Sequence, residues 1–203
     1  MSDQHRIRIA IEGPVCAGKT TLSDNLVRAY SEHRLCVIPD YSDFVGGGRN
    51  LPNPLPANTE DELDALDRFR QLERDRFEQY SRATQICVID RSIHTLLAHC
   101  IGVEFHCGRS WFDPALQRLQ AADEMVWPDL IIYLDIPLST ILERNRGKFP
   151  DTSLFTDERF NAGFRDYFIP TLRVGRTGVR VVDGTISPNE VCLQACEAIN
   201  AVL

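Results

Sequence analysis

One short segment constrains the fold of this chain more than any other feature. Residues 13–20 read Gly-Pro-Val-Cys-Ala-Gly-Lys-Thr and match the pattern G-x-x-x-x-G-K-[ST] at every fixed position. An apolar run over 7–11 precedes the segment, and apolar residues at helical spacing between Leu22 and Tyr30 follow it. The segment therefore lies between a predicted strand and a predicted helix, which is the context that this phosphate-binding pattern requires.

A loop of this kind binds phosphate mainly through its backbone, because successive N–H groups converge at a helix N-terminus that carries partial positive charge. Gly13 and Gly18 allow backbone conformations that a Cβ atom would obstruct. Lys19 supplies a mobile charge for the β- and γ-phosphates, and Thr20 supplies a hydroxyl for Mg²⁺. The sequence therefore predicts a site for a nucleoside triphosphate with Mg²⁺. The predicted donor-binding residues of the loop are Gly13, Pro14, Val15, Cys16, Ala17, Gly18, Lys19, Thr20 and Thr21.

Composition limits the classes of protein to which the chain can belong. Its 203 residues predict one domain, 1–203, and its net charge of -7 has the wrong sign for broad binding to a nucleic-acid polymer. No apolar run approaches the ~20 residues of a membrane span, and residues 1–6 leave no room for a signal peptide. Seven cysteines without C-x-x-C spacing are expected to be reduced. We therefore expect a cytoplasmic protein that does not bind membranes, and a homodimer is compatible with the sequence.

Short apolar runs alternate with helical patterns along the chain. The predicted strands are 7–11, 35–39, 86–89, 130–134 and 179–182. The predicted helices are 21–30, 60–82, 92–100, one beginning with Asp113 as N-cap, 139–146, 156–167 and 188–202. This alternation predicts an α/β protein in which helices flank an open, mostly parallel sheet of five strands.

Charged residues follow two of the predicted strands. Asp40 comes after the second strand, and Asp90 with Arg91 follows the third. Open α/β sheets bind their ligands at the carboxyl ends of the strands. Two structural alternatives stay open at this point: Asp40 as a helix-capping or turn residue, and Asp90 with Arg91 as a surface ion pair. The Pro- and Gly-rich segment 44–58 predicts a loop that faces the substrate.

The order of these features resembles the deoxynucleoside kinase and thymidylate kinase group of the P-loop nucleoside and nucleotide kinases. The resemblance covers nearly the whole chain and implies the P-loop three-layer fold, with a small lid over one end of the sheet. IEGPVCAGKTTL is similar to the first strand and phosphate loop of deoxynucleoside kinases, and VIDRS at 88–92 is similar to the Glu-Arg-Ser or Asp-Arg-Tyr motif of the two families. PDLIIYLDIP at 128–137 looks like their fourth strand. ILERNRGK at 141–148 resembles their lid, and VVDGT at 181–185 resembles the loop beside adenine.

The resemblance implies catalytic roles for Lys19, Asp40, Arg91 and Arg146. Asp40 would orient the acceptor hydroxyl, and Arg91 would contact the acceptor oxygen or the transferred phosphate. Mg²⁺ would be held by Thr20 and Asp90. In the lid, about 144–155, the candidate cations are Arg144, Arg146 and Lys148, of which Arg146 is expected to close on the transferred phosphate and Arg144 to bind the donor. The expected neighbours of adenine are Asp183, Gly184 and Thr185.

The same resemblance implies a substrate-reading helix at 60–82. The residues expected to bind the acceptor are Asp40, Tyr41, Phe44, Asp67, Arg70, Arg74 and Arg91. Asp67 stands where deoxynucleoside kinases carry a glutamine, and an ionised carboxylate only accepts hydrogen bonds. Asp67 therefore either favours an acceptor with hydrogen-bond donors or is a solvated residue paired with Arg70 or Arg74.

These features predict an ATP-dependent phosphotransferase that moves the γ-phosphate to a hydroxyl of a small, nucleoside-like molecule. A kinase of nucleoside monophosphates similar to thymidylate kinase, and a kinase of the same fold acting on an antibiotic or specialised metabolite, are alternatives. An ATPase switch that transfers phosphate only to water fits less well, because the acceptor loop and the lid segment are typical of a transferase.

Overall fold

Five short strands agree with the predicted ones to within one residue at each end. The computed structural model describes residues 6–33, 35–80, 84–122, 125–150, 152–169 and 178–203. Its strands are β1 (Ile7–Glu12), β2 (Leu35–Ile38), β3 (Ile86–Asp90), β4 (Leu130–Asp135) and β5 (Gly178–Asp183).

The strands form one sheet in the order β2-β3-β1-β4-β5, and each of its four pairings is parallel. β1 is the central strand, with Ile9 paired to Val88 on one side and to Leu130 on the other. Because all strands point the same way, the phosphate loop after β1 and the charged residues after β2 and β3 meet at one edge. The predicted α/β fold with a parallel sheet of five strands is confirmed.

Eight helices are described around this sheet. They are α1 (Lys19–Ala29), α2 (Tyr41–Phe44), α3 (Thr59–Tyr80), α4 (Ile93–Cys107), α5 (Phe112–Gln120), α6 (Leu138–Asn145), α7 (Glu158–Phe168) and α8 (Pro188–Asn200). Short 3-10 turns lie at Gly48–Asn50 and Leu154–Thr156. Within the described ranges, no helix combines the length and the apolar character needed to cross a bilayer.

The side chains of the sheet alternate between two cores, as the period of a strand requires. On one face, Ile9, Ile11 and Ile132 pack against α1 and α8. On the other, Ala10 and Tyr133 pack against residues of α3, α4, α5 and α7. The result is the predicted three-layer arrangement, with the sheet between two layers of helices.

Two glycines allow α4 and α7 to pack in close contact. A Cβ atom at Gly102 would lie 2.7 Å from the ring of Phe160, and one at Gly163 would lie 2.7 Å from the carbonyl oxygen of Ile101. Neither position has room for a larger residue without movement of the backbone. This close approach places Phe160 and Phe164 of α7 beside the α4 face that forms the candidate site.

The structure corrects several predicted helix bounds. α4 continues to Cys107, where Gly108 ends it with φ 72, so the irregular stretch predicted after Cys100 is helical instead. α5 begins at Phe112 with Trp111 as N-cap, so Asp113 lies in the first turn and does not cap it. α2 and the 3-10 turn at 48–50 interrupt the predicted loop. The predicted helix 60–82 corresponds to α3, and its predicted end at residue 82 lies outside the described residues. Residue 151 of the predicted lid lies outside them as well.

Candidate active site

The phosphate loop has the backbone that its glycines predict. Gly13 has φ 146, and a Cβ atom there would lie 2.8 Å from the carbonyl oxygen of Leu134. Gly18 has φ 97 and is the N-cap of α1. Both conformations disfavour an L side chain, which explains why glycine occupies these positions. The first turn of α1 is therefore open at its N-terminus, where backbone N–H groups can bind an anion.

Lys19 lies at the base of this loop and is 7% exposed. Its Nζ donates hydrogen bonds to the carbonyl oxygens of Gly13 (3.2 Å) and Pro14 (3.0 Å). Burial lowers the pKa of Lys19 to about 8, and the charge of Arg91 contributes in the same direction. The ammonium group is therefore held within the loop itself, close to where a phosphate would bind.

Thr20 and Asp90 come together beside the loop, as the sequence predicted. The Thr20 hydroxyl donates to Oδ2 of Asp90 over 3.2 Å. Asp90 is 4% exposed, and its Oδ1 atom has no hydrogen-bond partner among the residues that the structure describes. Burial raises the pKa of Asp90, and the neighbouring carboxylate of Asp40 raises it further. A buried, unpartnered carboxylate oxygen next to a hydroxyl is suited to a cation that keeps most of its waters.

Asp40 caps a helix, which is the structural alternative that the sequence left open, and it also pairs with Arg91. Its Oδ1 caps α2 by accepting from the backbone N–H (2.9 Å) and the hydroxyl (3.2 Å) of Ser42. Its Oδ2 accepts from Nε of Arg91 over 2.8 Å. Burial opposes ionisation, but the Arg91 guanidinium and the Ser42 N–H outweigh it and hold the pKa of Asp40 below its usual value. Asp40 is therefore an oriented carboxylate that also lines the cavity.

Arg76 was not predicted as part of the site, and it holds two strand ends together. Its guanidinium donates to the carbonyl oxygens of Pro39 (2.5 Å), Asp90 (3.3 Å) and Arg91 (2.9 Å). Arg91 adopts φ 64, an unfavourable backbone conformation for a residue with a side chain. The hydrogen bond to its carbonyl oxygen holds that conformation in place.

Two further contacts hold Arg76 itself. It is 0% exposed, forms an ion pair with Glu73, and its guanidinium carbon lies 3.6 Å from the ring centre of Tyr41. Helical spacing gave the missing signal. Glu73 and Arg76 lie seven and ten residues after the buried Leu66, on the same face of α3.

Glu12 is a second residue that the sequence-based prediction missed. It ends β1 and is 0% exposed. Its carboxylate accepts from the backbone N–H (2.8 Å) and the hydroxyl (2.7 Å) of Ser92, and also from the hydroxyl of Thr95. Burial raises the pKa of Glu12. The contacts join the start of the phosphate loop to the first turn of α4.

One cavity of about 630 Å³ is lined by the phosphate loop with Lys19 and Thr20 and by Asp40 and Arg91. Its inner end contains the phosphate loop, Asp40 and Arg91. It then runs outward between α3, α4 and α7, where its walls are mostly apolar. The outer lining includes Glu62, Ala65, Leu66, Phe69, Leu96, His99, Cys100, Phe155, Phe160 and Phe164. Its volume is within the range of small-molecule sites.

Several predicted acceptor residues lie elsewhere. Asp67 accepts from Arg70 (Nη1 to Oδ1, 2.9 Å) and forms an ion pair with Arg118 of α5, while Arg74 bonds to Gln71. None of these residues is in the described lining of the cavity. The geometry favours the alternative in which Asp67 is an ion-paired residue of the helix surface, because the helix presents its 62–65–66–69 face to the cavity.

Of the two predicted aromatic residues after β2, one lines the cavity. Tyr41 is buried there and contacts Phe69 edge-on, with 5.2 Å between ring centres. Phe44 packs against Tyr80, with 6.3 Å between ring centres, and is not in the described lining. The α2 turn capped by Asp40 sets this difference, since Tyr41 begins the turn and Phe44 ends it.

The three cationic residues of the predicted lid differ in their position relative to the cavity. Arg144 and Lys148 line the cavity, and Nη1 of Arg144 donates to the carbonyl oxygen of Gly184 over 3.0 Å. Arg146 ends α6 with φ 45, is exposed, and is not in the described lining. The β5 turn is held by Asp183, whose carboxylate accepts from the N–H (2.8 Å) and the hydroxyl (2.6 Å) of Thr185. In this conformation, geometry favours Arg144 over Arg146 as the cation nearest the donor.

Comparison with known proteins supports the fold. No protein-family model matches the chain. Thymidylate kinase of Fervidobacterium nodosum is 23% identical over 120 residues, which are 59% of this chain and 58% of that protein, so the match spans less than two thirds of its length.

Solved structures match nearly the whole chain. Deoxyadenosine kinase from M. mycoides, with dCMP and a flexible dCDP bound, superposes with a TM-score of 0.66 at 14% identity, covering 96% of this chain and all of that one. Thymidylate kinase from Candida albicans also has a TM-score of 0.66, at 19% identity, covering 97% of this chain and 92% of that one. The chain therefore has the fold that these deoxyadenosine and thymidylate kinases share.

Proposed function

We propose that this chain is an ATP- and Mg²⁺-dependent kinase that transfers the γ-phosphate to a hydroxyl of a nucleoside. One observation carries the proposal: the phosphate loop and the oriented Asp40–Arg91 pair open into the same cavity. A phosphate donor on the loop and a hydroxyl compound at Asp40 would therefore face each other. The likeness of the fold to deoxyadenosine and thymidylate kinases supports the same reaction class.

The donor binds through the loop and the first turn of α1. The backbone N–H groups of 13–20 receive the phosphate oxygens, and the Lys19 ammonium moves from the loop carbonyls to the β- and γ-phosphates. A nearby phosphate also stabilises the charged form of Lys19, which burial disfavours in the free protein. Arg144, held against Gly184, covers the donor from the opposite side.

Thr20 and Asp90 would hold the cation, since their oxygens lie together and one Asp90 oxygen has no described partner. The described residues contain no cluster of three or more His, Cys, Asp and Glu side chains suited to a metal. That fits Mg²⁺, which uses one or two carboxylates together with substrate phosphates and water. When bound, Mg²⁺ would neutralise negative charge on the donor phosphates.

Asp40 and Arg91 position the acceptor. Because its pKa is held low, the Asp40 carboxylate orients the hydroxyl and receives its proton only as the new phosphate bond forms. The Arg91 guanidinium, fixed through the Arg76 contact to its carbonyl, places positive charge beside the transferred group. Transfer of phosphate depends mainly on positioning and charge, and these two residues supply both.

A nucleoside monophosphate is the second candidate acceptor. The thymidylate kinase relative favours it, whereas Asp40 disfavours it because a carboxylate repels an incoming phosphate. Two further alternatives are a specialised metabolite as the acceptor and transfer of the phosphate to water. The same assay distinguishes them.

The test is to incubate the purified chain with ATP, MgCl₂ and a panel of nucleosides, nucleoside monophosphates and other alcohols, and to identify products by mass. We expect a phosphorylated nucleoside from the wild type and none above background from Lys19→Ala. The matched control is Arg28→Ala, which removes an exposed cation from the last turn of the same helix. Equal activity of Lys19→Ala and Arg28→Ala, both folded, would contradict the proposal.

A further inference from the structure

The outer end of the cavity, called the slot below, has aromatic walls. Phe69 of α3 and Phe160 and Phe164 of α7 line it, together with Phe155. Phe155 and Phe160 contact each other edge-on, with 5.9 Å between ring centres. Aromatic walls of this kind bind a flat ring through stacking and edge contacts. A planar heterocycle therefore fits this end better than a flexible chain or a sugar.

A buried carboxylate stands in this apolar slot. Glu62 lies in the first turn of α3, lines the cavity and is 6% exposed. Among the described residues, its carboxylate has one hydrogen-bond partner, the Cys100 thiol, with 3.3 Å between Sγ and Oε1, and no ion-pair partner. A thiol is a weak donor, so the carboxylate is left poorly satisfied, and a buried polar group in that state costs free energy. The position requires a better donor than the protein itself supplies.

His99, next to Cys100 in α4, adds a second acceptor to the same lining. Its Nε2 atom lies 2.6 Å from the carbonyl oxygen of Pro54. A carbonyl only accepts, so Nε2 carries the hydrogen and Nδ1 is left as an acceptor in the neutral ring. Burial lowers the pKa of His99 to about 4, which keeps the ring neutral at neutral pH. Glu62 and His99 therefore both offer hydrogen-bond acceptors, which favour a ligand that carries donors.

The length of the slot agrees with a nucleoside. Ser92, the N-cap of α4, and Cys100 are eight residues apart, which corresponds to about 12 Å along the helix. Ser92 follows Arg91, where the acceptor hydroxyl is proposed to lie, and Cys100 contacts Glu62. A nucleoside with its hydroxyl at Arg91 therefore extends its base towards Glu62.

We infer that Glu62, with His99, selects a nucleoside whose base carries an exocyclic amino group. The inference rests on the proposed function and assigns its acceptor class. An amino group donates to the Glu62 carboxylate, whereas an oxo group at the same position brings two acceptors together. A site built to hydrogen-bond a substrate group rejects the analogue that lacks it, because the buried partner is then left unpaired.

Two matched pairs of nucleosides test the inference: deoxycytidine against deoxyuridine, and deoxyadenosine against deoxyinosine. Each pair differs in one exocyclic group and in the adjacent ring nitrogen, which accepts a hydrogen bond beside the amino group and donates one beside the oxo group. We expect wild-type kcat/KM to favour the amino partner of the preferred pair by at least about tenfold. Glu62→Gln keeps the size of the side chain but adds a donor, so the preference should fall towards one. Glu60→Gln makes the same change at an exposed position two residues earlier and should leave the preference unchanged.

Binding of the same nucleosides without ATP, measured by calorimetry, separates this inference from the proposed function. Turnover of nucleosides with no preference for amino bases, or an unchanged preference in folded Glu62→Gln, would overturn the inference and leave the kinase proposal intact. Selective binding of amino nucleosides without any phosphorylation would support the inference and overturn the kinase proposal. If Glu62→Gln does not fold, the wild-type preference decides, since a preference for the oxo partner or for neither contradicts the role of Glu62.

Discussion

Replacing Arg76 by methionine tests whether one buried guanidinium holds the ends of β2 and β3 in place. Methionine has a similar length but donates no hydrogen bonds. The carbonyl oxygens of Pro39, Asp90 and Arg91 then lose a donor, and Glu73, 1% exposed, loses its counter-charge. Removing one partner of a buried ion pair costs about 3–5 kcal/mol. We expect the free energy of unfolding to fall by that amount, about 3–5 kcal/mol.

Urea unfolding followed by circular dichroism measures this loss, and calorimetry gives the corresponding change in Tm. For a chain of this length, each kcal/mol lowers Tm by about 2–4 °C, so we expect a fall of roughly 6–20 °C. Arg68→Met is the matched control, because Arg68 is an exposed arginine of the same helix and its removal should change stability by less than about 0.5 kcal/mol. A loss below about 1 kcal/mol in Arg76→Met would refute the reasoning.

Activity separates positioning from stability. Arg76→Met should lower kcat while the KM for ATP changes little, because the phosphate loop follows β1 and does not contact Arg76 in the described structure. The double variant Arg76→Met/Glu73→Gln removes the unpaired charge and should recover part of the stability without recovering kcat. Recovery of both together would show that Arg76 acts on stability alone.

Three further predictions concern the reacting groups. Asp40→Asn should lower kcat by at least about 100-fold with a much smaller effect on ATP binding, since the amide cannot accept the proton; a loss confined to the KM for ATP would remove Asp40 from the acceptor side. The kcat/KM for ATP should fall above about pH 8, because Lys19, whose burial lowers its pKa to about 8, loses its charge there. Lys19→Arg should abolish this alkaline limb, and an unchanged limb in that variant would assign the titration to another group. Arg144→Ala should reduce kcat more than Arg146→Ala, and the reverse order would favour closure of Arg146 on the transferred phosphate.

The strands and the inner end of the site follow closely from the sequence alone. Each strand is a short apolar run with a clear end, and buried parallel strands leave that signal in any context. Because parallel strands end at one edge, the order of strands and helices already implies that the residues after β1, β2 and β3 lie together. The phosphate loop, Asp40, Asp90 and Arg91 indeed meet at that edge.

The helix faces were harder to predict. Helical spacing places Arg76 on the same face of α3 as Leu66, but it places Arg70, four residues after Leu66, near that face as well, so spacing alone does not show which arginine is buried. Arg76 is buried because carbonyl groups of two distant strand ends accept its hydrogen bonds, and no local pattern reveals such partners. Glu62 lines the cavity and Asp67 does not, and local sequence does not show this difference either. The walls opposite α3 come from α4 and α7, whose close packing depends on contacts far apart in the sequence.

Glu12 shows the same limit on a smaller scale. In the sequence it is a polar residue at the end of a predicted strand. It can be buried because Ser92 and Thr95, at the start of a helix distant in the sequence, donate hydrogen bonds to its carboxylate. The bounds of α4 also depended on tertiary context, since residues 101–107 continue the helix against α7. Local sequence therefore predicted the strands and the longer helices but not α2, while the charges that these elements bury depended on the assembled fold.

Transfer of labelled phosphate tests the central proposal most directly. ATP labelled in its γ-phosphate is incubated with MgCl₂, the wild-type chain and a nucleoside, and the label is followed in the nucleoside monophosphate, in ADP and in free phosphate. We expect the label in the nucleoside monophosphate, with ADP formed in equal amount and only when the acceptor is present. Release of all the label as free phosphate, at a rate that no acceptor changes, would contradict the proposed kinase and identify an ATPase.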